Sequence, residues 1–203
     1  MSYQGEESEP LDMSPLPNIL DDFKSEGVEA VAICFLHSYA NFAHEEIVMK
    51  EVKQLWPEVS AVASHQITRE WREYERTNTT ALCAYVKPIA RNYLDKLSKK
   101  LIDSNFSGNP YVMQSNGGID TFESTKNIPL TMIESGPTSG VLGAAELGKL
   151  ISEKNIITLD VGGTTAKCSL IENGNVKKPL ETKKYPRFFR GFLLFENRNN
   201  IRT

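Results

Sequence analysis

The residues best suited to chemistry stand together between Ile156 and Ile171, in the run IITLDVGGTTAKCSLI. An apolar strand ends on an acid, Asp160. Two glycines, Gly162 and Gly163, and two threonines, Thr164 and Thr165, form a bend, and Lys167 enters a second apolar strand. Without Cβ atoms at 162 and 163 an anion can approach the backbone closely, and the amides of the bend can turn into one concavity. The threonine hydroxyls add donors. A carboxylate at the strand end repels a bare phosphate, so Asp160 makes sense only with a divalent cation between the two charges. Magnesium, which binds through one or two carboxylates plus nucleotide phosphates, suits that place. Asp160 is therefore the candidate metal ligand and catalytic residue, and Gly162, Gly163, Thr164, Thr165 and Lys167 are the candidate phosphate contacts, with Lys167 either adding charge or facing solvent. The same residues also suit a plain glycine hairpin in which Asp160 makes an Asx-type hydrogen bond and the threonines serve strand propensity, and pattern alone leaves the two readings level. The GxxxxGK[ST] spacing of a P-loop is absent, and a strand rather than a helix follows the turn, which excludes a dinucleotide fingerprint.

Three further groups carry weaker signals. In REYERTNTT, the alternation of Arg72, Glu73, Glu75 and Arg76 suits a helix start laced by i, i+3 and i, i+4 ion pairs. Ser115, Asn116 and Gly117, with Gly118, compose a turn after a strand, which is ordinary turn chemistry but also the place where ligands gather in an α/β sheet. Gly136 and Pro137 open a helix whose free amides could receive an anion, while Gly140, Gly143, Ala144 and Ala145 more simply allow tight helix packing. His37, His44 and His65 lack zinc-ligand spacing, and the three cysteines, Cys34, Cys83 and Cys168, sit far apart in apolar contexts as expected of reduced core thiols.

The elements that must position these groups follow from periodicity. The first ten residues are acidic and offer little to bury, so a solvated arm is expected. Ser14 and Pro15 start a helix with Leu16, Ile19, Leu20 and Phe23 on one face, and Gly27 stops it. Val28 to Leu36 reads as a strand covered on both faces. Asn41 caps a helix marked by Ile47, Val48, Val52 and Leu55 that ends at Pro57, and Val59 to Ser64 completes a strand, helix, strand unit. A long helix spans about 73 to 104 with a stripe of Leu82, Val86, Ile89, Tyr93, Leu97 and Leu101, which Pro88 should kink or split. After a loop at 105–109 come a strand at 110–114, the Ser115 turn, a helix to about Ile151, strands at 155–160 and 167–171, and an Asn173-Gly174 hairpin.

With 40% apolar and 24% charged residues spread along 203 positions, the chain is globular rather than disordered. Its formal charge of −3 provides no overall field to collect nucleic acid or anionic lipid. No apolar run is long enough for a membrane span and the start lacks a signal-peptide pattern, so neither a nucleic-acid nor a membrane partner is expected and the cytoplasm is the expected location. From Lys177 onward eight basic residues face two acidic ones, an abrupt shift interleaved with aromatic residues, read as an altered chain end.

The segments GVEAVAICFLHSYANFAHEE, REYERTNTTALCAYVKPIARNYL, MQSNGG, ESGPTSGVLGA and LDVGGTTAKCSLI resemble, in order and spacing, consecutive blocks of the hydantoinase A and 5-oxoprolinase family, over roughly Tyr3 to Lys178. The resemblance implies an α/β fold of the actin-like, sugar-kinase and Hsp70 type, with a mixed sheet and the proline-interrupted helix. It implies residues 1–105 as part of the family's N-terminal region, 106–185 as the start of its hydantoinase A domain, and 186–203 as a divergent basic tail. The implied activity is ATP-dependent hydrolysis of a cyclic amide such as a hydantoin or 5-oxoproline, by phosphorylation of an amide or carbonyl oxygen with ATP and magnesium as cofactors. It turns Glu75 and Arg76 toward the substrate cleft; with Ser115, Asn116 and Gly117 of the strand-end turn they are the candidate substrate contacts. A partner subunit of the hydantoinase B type, or a homo-oligomer, is implied as well. Family members carry a first phosphate hairpin upstream and a glycine-rich region downstream that have no counterpart in this sequence, so the chain is expected to be a fragment, incomplete for catalysis alone or serving as a non-catalytic assembly subunit.

Overall fold

The computed structural model describes residues 1–163 and 165–176; Thr164 and the basic tail expected at 186–203 lie outside the described residues. The chain divides into two compact units, one of residues 1–104 with 126–130, the other of residues 105–125 with 131–176.

In the first unit, α1 (Leu16–Ser25) leads to β1 (Ala30–Ile33), α2 (Ala43–Leu55), β2 (Ser60–Ala63), the single turn α3 (Ser64–Ile67) and the long α4 (Glu73–Asp103). β1 and β2 pair in parallel, Ala30 with Ser60 through Ile33 with Ala63, and α2 supplies the crossover that parallel strands require. Val31, Ile33, Ala61 and Ala63 share one face and pack with Leu20, Val48, Met49 and Val52. Fully burying a side chain such as Leu20 or Val52 stabilises by roughly 1.5–3 kcal/mol. Val62, on the opposite face, is also fully buried, and α4 packs against both strands. On that opposite face Ala32 is nonetheless exposed, and Leu36, expected within the strand, lies beyond it and is 67% exposed.

Two helical faces differ from the periodic reading. In α2 the buried positions are His44, Glu45, Val48, Met49 and Val52, while Ile47 is exposed. In α4 the buried face is built from Arg76, Thr79, Thr80, Cys83, Ala84, Ala90 and Leu94, and Leu82, Ile89 and Tyr93 of the expected stripe point outward. Small side chains let this helix approach the strands closely, which large ones in the same places would prevent. Pro88 does not split it, since α4 runs unbroken from Glu73 to Asp103. The acidic opening is no free arm: Asn41 Nδ2 donates to the Gly5 carbonyl at 2.8 Å and His44 Nε2 lies 2.7 Å from Glu7 Oε1.

In the second unit β3 (Tyr111–Met113) and β4 (Ile119–Thr121) form a hairpin; α5 (Phe122–Asn127) and a 3-10 turn at Pro129–Met132, of which residues 126–130 belong to the first unit, lead along the chain to α6 (Ser135–Leu150). An antiparallel sheet of β5 (Ile156–Val161), β6 (Ala166–Glu172) and β7 (Asn175–Val176) completes the described residues. Asn173 and Gly174 take φ of 54° and 76°, the left-handed pair of a tight hairpin, as their types predict. α6 packs on this sheet, where Ile171 is fully buried and a Cβ on Gly148 would stand 2.7 Å from the Glu153 carbonyl. The other sheet face is open: Ile157, Leu159 and Val161 are each about two-thirds exposed or more, and Cys168 shares that face. Cys168 is therefore not the core thiol its apolar neighbours suggest, because period-2 alternation sends it to the uncovered side. Cys83 is buried, and burial pushes its thiol up to about 11. Alkylation of the native protein with iodoacetamide should label Cys168 rapidly and Cys83 only after unfolding, as read by peptide mass spectrometry; rapid native labelling of Cys83 would contradict the packing of α4.

Candidate functional site

The glycine bend joins β5 to β6 at the end of their ladder. Asp160 pairs in register with Lys167, and Val161 with Ala166, so Asp160, Lys167, Thr158 and Ser169 share one face. The Gly162 amide donates to the Thr165 carbonyl at 2.9 Å, which commits one of the four expected bend amides to closing the turn. No conformational need explains the glycines, because neither 162 nor 163 takes a left-handed φ. A Cβ on Gly163 would meet nothing within 4 Å and one on Gly162 only the Thr165 carbonyl at 3.7 Å, so the space above the bend is open to an approaching group. Asp160 is exposed and makes no hydrogen bond or ion pair among the described residues, so the Asx bond of the plain-hairpin reading is not formed with them. Lys167, its cross-strand neighbour, is engaged elsewhere: its ammonium pairs with Glu134, the left-handed residue that precedes α6.

α6 returns directly into β5, so its N-terminus lies at the bend end of the sheet, as the Glu134–Lys167 pair confirms. The Ser115 turn is fastened to the same helix. Thr138 Oγ1 donates to the Ser115 carbonyl at 3.1 Å, the Ser115 amide donates to the Thr131 carbonyl at 2.7 Å, and Asn116 Oδ1 accepts the Gly118 amide at 2.7 Å. Gly117, at φ 88°, would place a Cβ 3.3 Å from Leu142 Cδ1, so here glycine serves both conformation and fit. The turn, the first turn of α6 and the glycine bend thus belong to one connected assembly. Tight packing does not account for Gly136, Gly140 and Gly143, whose added Cβ atoms would enter open space; among the α6 glycines only Gly148 is closely packed.

Glu75 and Arg76 lie in the other unit, at the start of α4. The expected i, i+3 pairs form, Arg72 with Glu75 at 3.6 Å and Glu73 with Arg76. Arg76 is fully buried. Its Nε donates to Ser64 Oγ at 3.1 Å, and its terminal nitrogens donate to the carbonyls of Glu70 at 2.9 Å and Phe35 at 2.7 Å. Ser64 Oγ in turn donates to Glu45 Oε1 at 2.6 Å, which also accepts the Phe35 amide at 2.9 Å; Glu45 Oε2 accepts the His65 amide at 3.0 Å and lies 2.8 Å from His65 Nδ1. Burial works to raise the Glu45 pKa, but the hydrogen bonds from Ser64, His65 and Phe35 outweigh it and hold the carboxyl below its usual range. Arg76 therefore ties the carboxyl ends of β1 and β2 to α4. Glu45, Ser64 and Glu134 carried no signal in the sequence, since each acquires its partner only through the fold.

Matches to known proteins bear on this arrangement. Residues 76–191 match the hydantoinase/oxoprolinase family, and residues 1–56 match its N-terminal region. The chain belongs to the hydantoinase/oxoprolinase family. It is 40% identical over 176 residues to an uncharacterised protein of Methanocaldococcus jannaschii, covering 87% of this chain and 25% of that protein. It is 30% identical over 183 residues to the caprolactamase subunit alpha of Pseudomonas jessenii, covering 89% and 26%. The nucleotide-free structure of acetone carboxylase superposes with a TM-score of 0.73 at 31% identity, over 86% of this chain and 25% of that one, and places the fold among actin-like α/β ATPases. The chain thus spans about a quarter of the length of these relatives. Among the described residues no cluster of three or more His, Cys, Asp or Glu side chains could hold a metal, and no helix is long and apolar enough to cross a membrane.

Because the folded Glu45 pKa is lowered, its stabilisation is complete above the ordinary glutamate range and is lost as pH falls through the folded value. Glu45→Gln should lower stability at neutral pH by about 2 kcal/mol, the scale of losing charge-assisted hydrogen bonds from buried donors. It should also flatten the acid limb of the stability profile. Urea unfolding followed from neutral to acidic pH measures both, and an unchanged midpoint would remove the network from the stability of this family member.

Proposed function

We propose that this hydantoinase/oxoprolinase family chain contributes a phosphate-binding part of an ATP-dependent enzyme that activates a cyclic amide or carbonyl substrate. The observation that carries the reading is the open space over Gly163 at the strand end that bears Asp160, an exposed carboxylate with no partner among the described residues. These residues fit a magnesium nucleotide: one carboxylate, a backbone free of side-chain bulk and nearby hydroxyls match a cation that keeps most of its waters and bridges to phosphate. Bound magnesium ATP supplies a phosphoryl group that turns an amide or carbonyl oxygen into a leaving group.

The work of the chain's own residues is placement and charge. Asp160 would hold the cation, and the Gly163 and Thr165 amides with the Thr165 hydroxyl would meet the phosphates. The Ser115 to Gly117 turn, fastened to α6, lines the substrate side. Arg76 acts by fixing the start of α4, so that Glu75 keeps its place. The cytoplasm is the proposed setting, where ATP is available. Several relatives are named as subunits, which favours a second reading in which the chain assembles with a partner of hydantoinase B type or with its own copies and lacks catalysis of its own.

Titration of the full chain with ATP and magnesium decides between them. Binding is expected, and Asp160→Ala should weaken it at least about tenfold, or about 1.4 kcal/mol. Phosphate release stimulated by a hydantoin, 5-oxoproline or caprolactam identifies the hydrolase, and a stable phosphorylated product would instead indicate a kinase. Folded protein without nucleotide affinity overturns the enzymatic reading and leaves the assembly role.

A further inference from the structure

Cross-strand neighbours of opposite charge in an antiparallel ladder are each other's default partners. Asp160 and Lys167 stand in that relation on one sheet face, yet the lysine pairs with Glu134, thirty-three residues earlier in the chain. Glu134 occupies a costly place for a residue with a side chain. At φ 66° and ψ 10° it is left-handed, a conformation glycine would adopt without penalty. Its carbonyl accepts the Thr138 hydroxyl at 3.3 Å, and the same hydroxyl lies 3.1 Å from the Ser115 carbonyl, which holds the backbone there, while the pair with Lys167 places the carboxylate over β6. Both partners are partly exposed, 34% for the Lys167 side chain and 53% for that of Glu134, so the pair adds little to folding. What it decides is which acid the lysine neutralises.

We propose that Glu134 is a positioning residue that withholds Lys167 from Asp160, leaving the Asp160 carboxylate free to bind a divalent cation. This rests on the reading of Asp160 as the cation ligand. A lysine seated on Asp160 would have to be displaced by each incoming cation, and would set a like charge beside it. With Glu134 in place, Lys167 serves as the counter-ion of the cap rather than of Asp160. Removing the Glu134 charge returns the lysine to its ladder neighbour, and removing the lysine as well makes Glu134 unnecessary.

The test uses the full chain with manganese as the probe, its ATP-dependent binding followed by electron paramagnetic resonance. Glu134→Gln is expected to weaken binding about fivefold, and Glu134→Gln combined with Lys167→Met to restore it to within about twofold of the parent, the scale set by one exposed ion pair. A crystal structure of the metal-free Glu134→Gln variant should show the Lys167 ammonium on Asp160. Unchanged binding in the single variant, a double variant as weak as the single one, or a lysine that stays away from Asp160 overturns the proposal. Equal manganese binding by the parent and Asp160→Ala shows instead that Asp160 is no cation ligand. The metal-free structure still reports where the lysine goes, so the two failures are told apart.

Discussion

A guanidinium removed from water has to find its hydrogen bonds inside the protein, and at Arg76 that requirement organises the first unit. The donors of Arg76 reach the carbonyl just beyond β1, the hydroxyl at the end of β2, the Glu70 carbonyl, and Glu73 in its own helix. Glu45 answers from α2 by accepting bonds from the same strand ends. Buried ions contribute less to stability than well-packed apolar groups of equal size would, because desolvation offsets the attraction. What such a network does enforce is register, since sliding either strand or turning α4 would strand a charge without partners. The close approach of α4 through Cys83, Ala84 and Ala90 depends on that fixed start.

The second unit handles charge in the opposite way. Its acid at the glycine bend is exposed and left without a described partner, while the neighbouring cation is drawn to the cap of α6. An unpaired surface carboxylate costs little in water, so the fold can keep one in reserve where a buried one would be untenable. Charges that hold the first unit together are thus satisfied internally, while this exposed acid has no partner among the described residues. That division fits membership in a family whose relatives include caprolactamase and acetone carboxylase subunits, with this chain carrying about a quarter of their length.

Much of the layout was legible before any coordinates. The β-branched runs, the Asn173-Gly174 pair, the crossover between β1 and β2 and the glycine bend all follow from local period and turn chemistry, which act over a few residues. The faces of α2 and α4 were legible only in part: Val48 and Val52 of the expected α2 stripe are buried, but Ile47, Leu55, Leu82 and Ile89 are exposed. Glu45 and Glu46 are adjacent and identical, yet the first is fully buried and the second exposed. Leu82 and Ile89 form a tidy apolar stripe, yet point outward while Cys83 and Ala84 pack. In each case the deciding quantity is how closely a neighbouring element approaches, which periodicity does not encode.

For the candidate site the same boundary holds. The sequence alone determined that an acid, two glycines, two threonines and a lysine would meet at one strand junction, because their order and the alternation of a strand leave no other arrangement. Only the tertiary structure decided that the Gly162 amide closes the turn, that the space over Gly163 is open, and that Lys167 belongs to Glu134 rather than to Asp160. The physical reason is that a side chain's partner is selected by distance in space. Glu134 and Asp160 become competitors for the charge of Lys167 only after α6 has folded back onto the sheet.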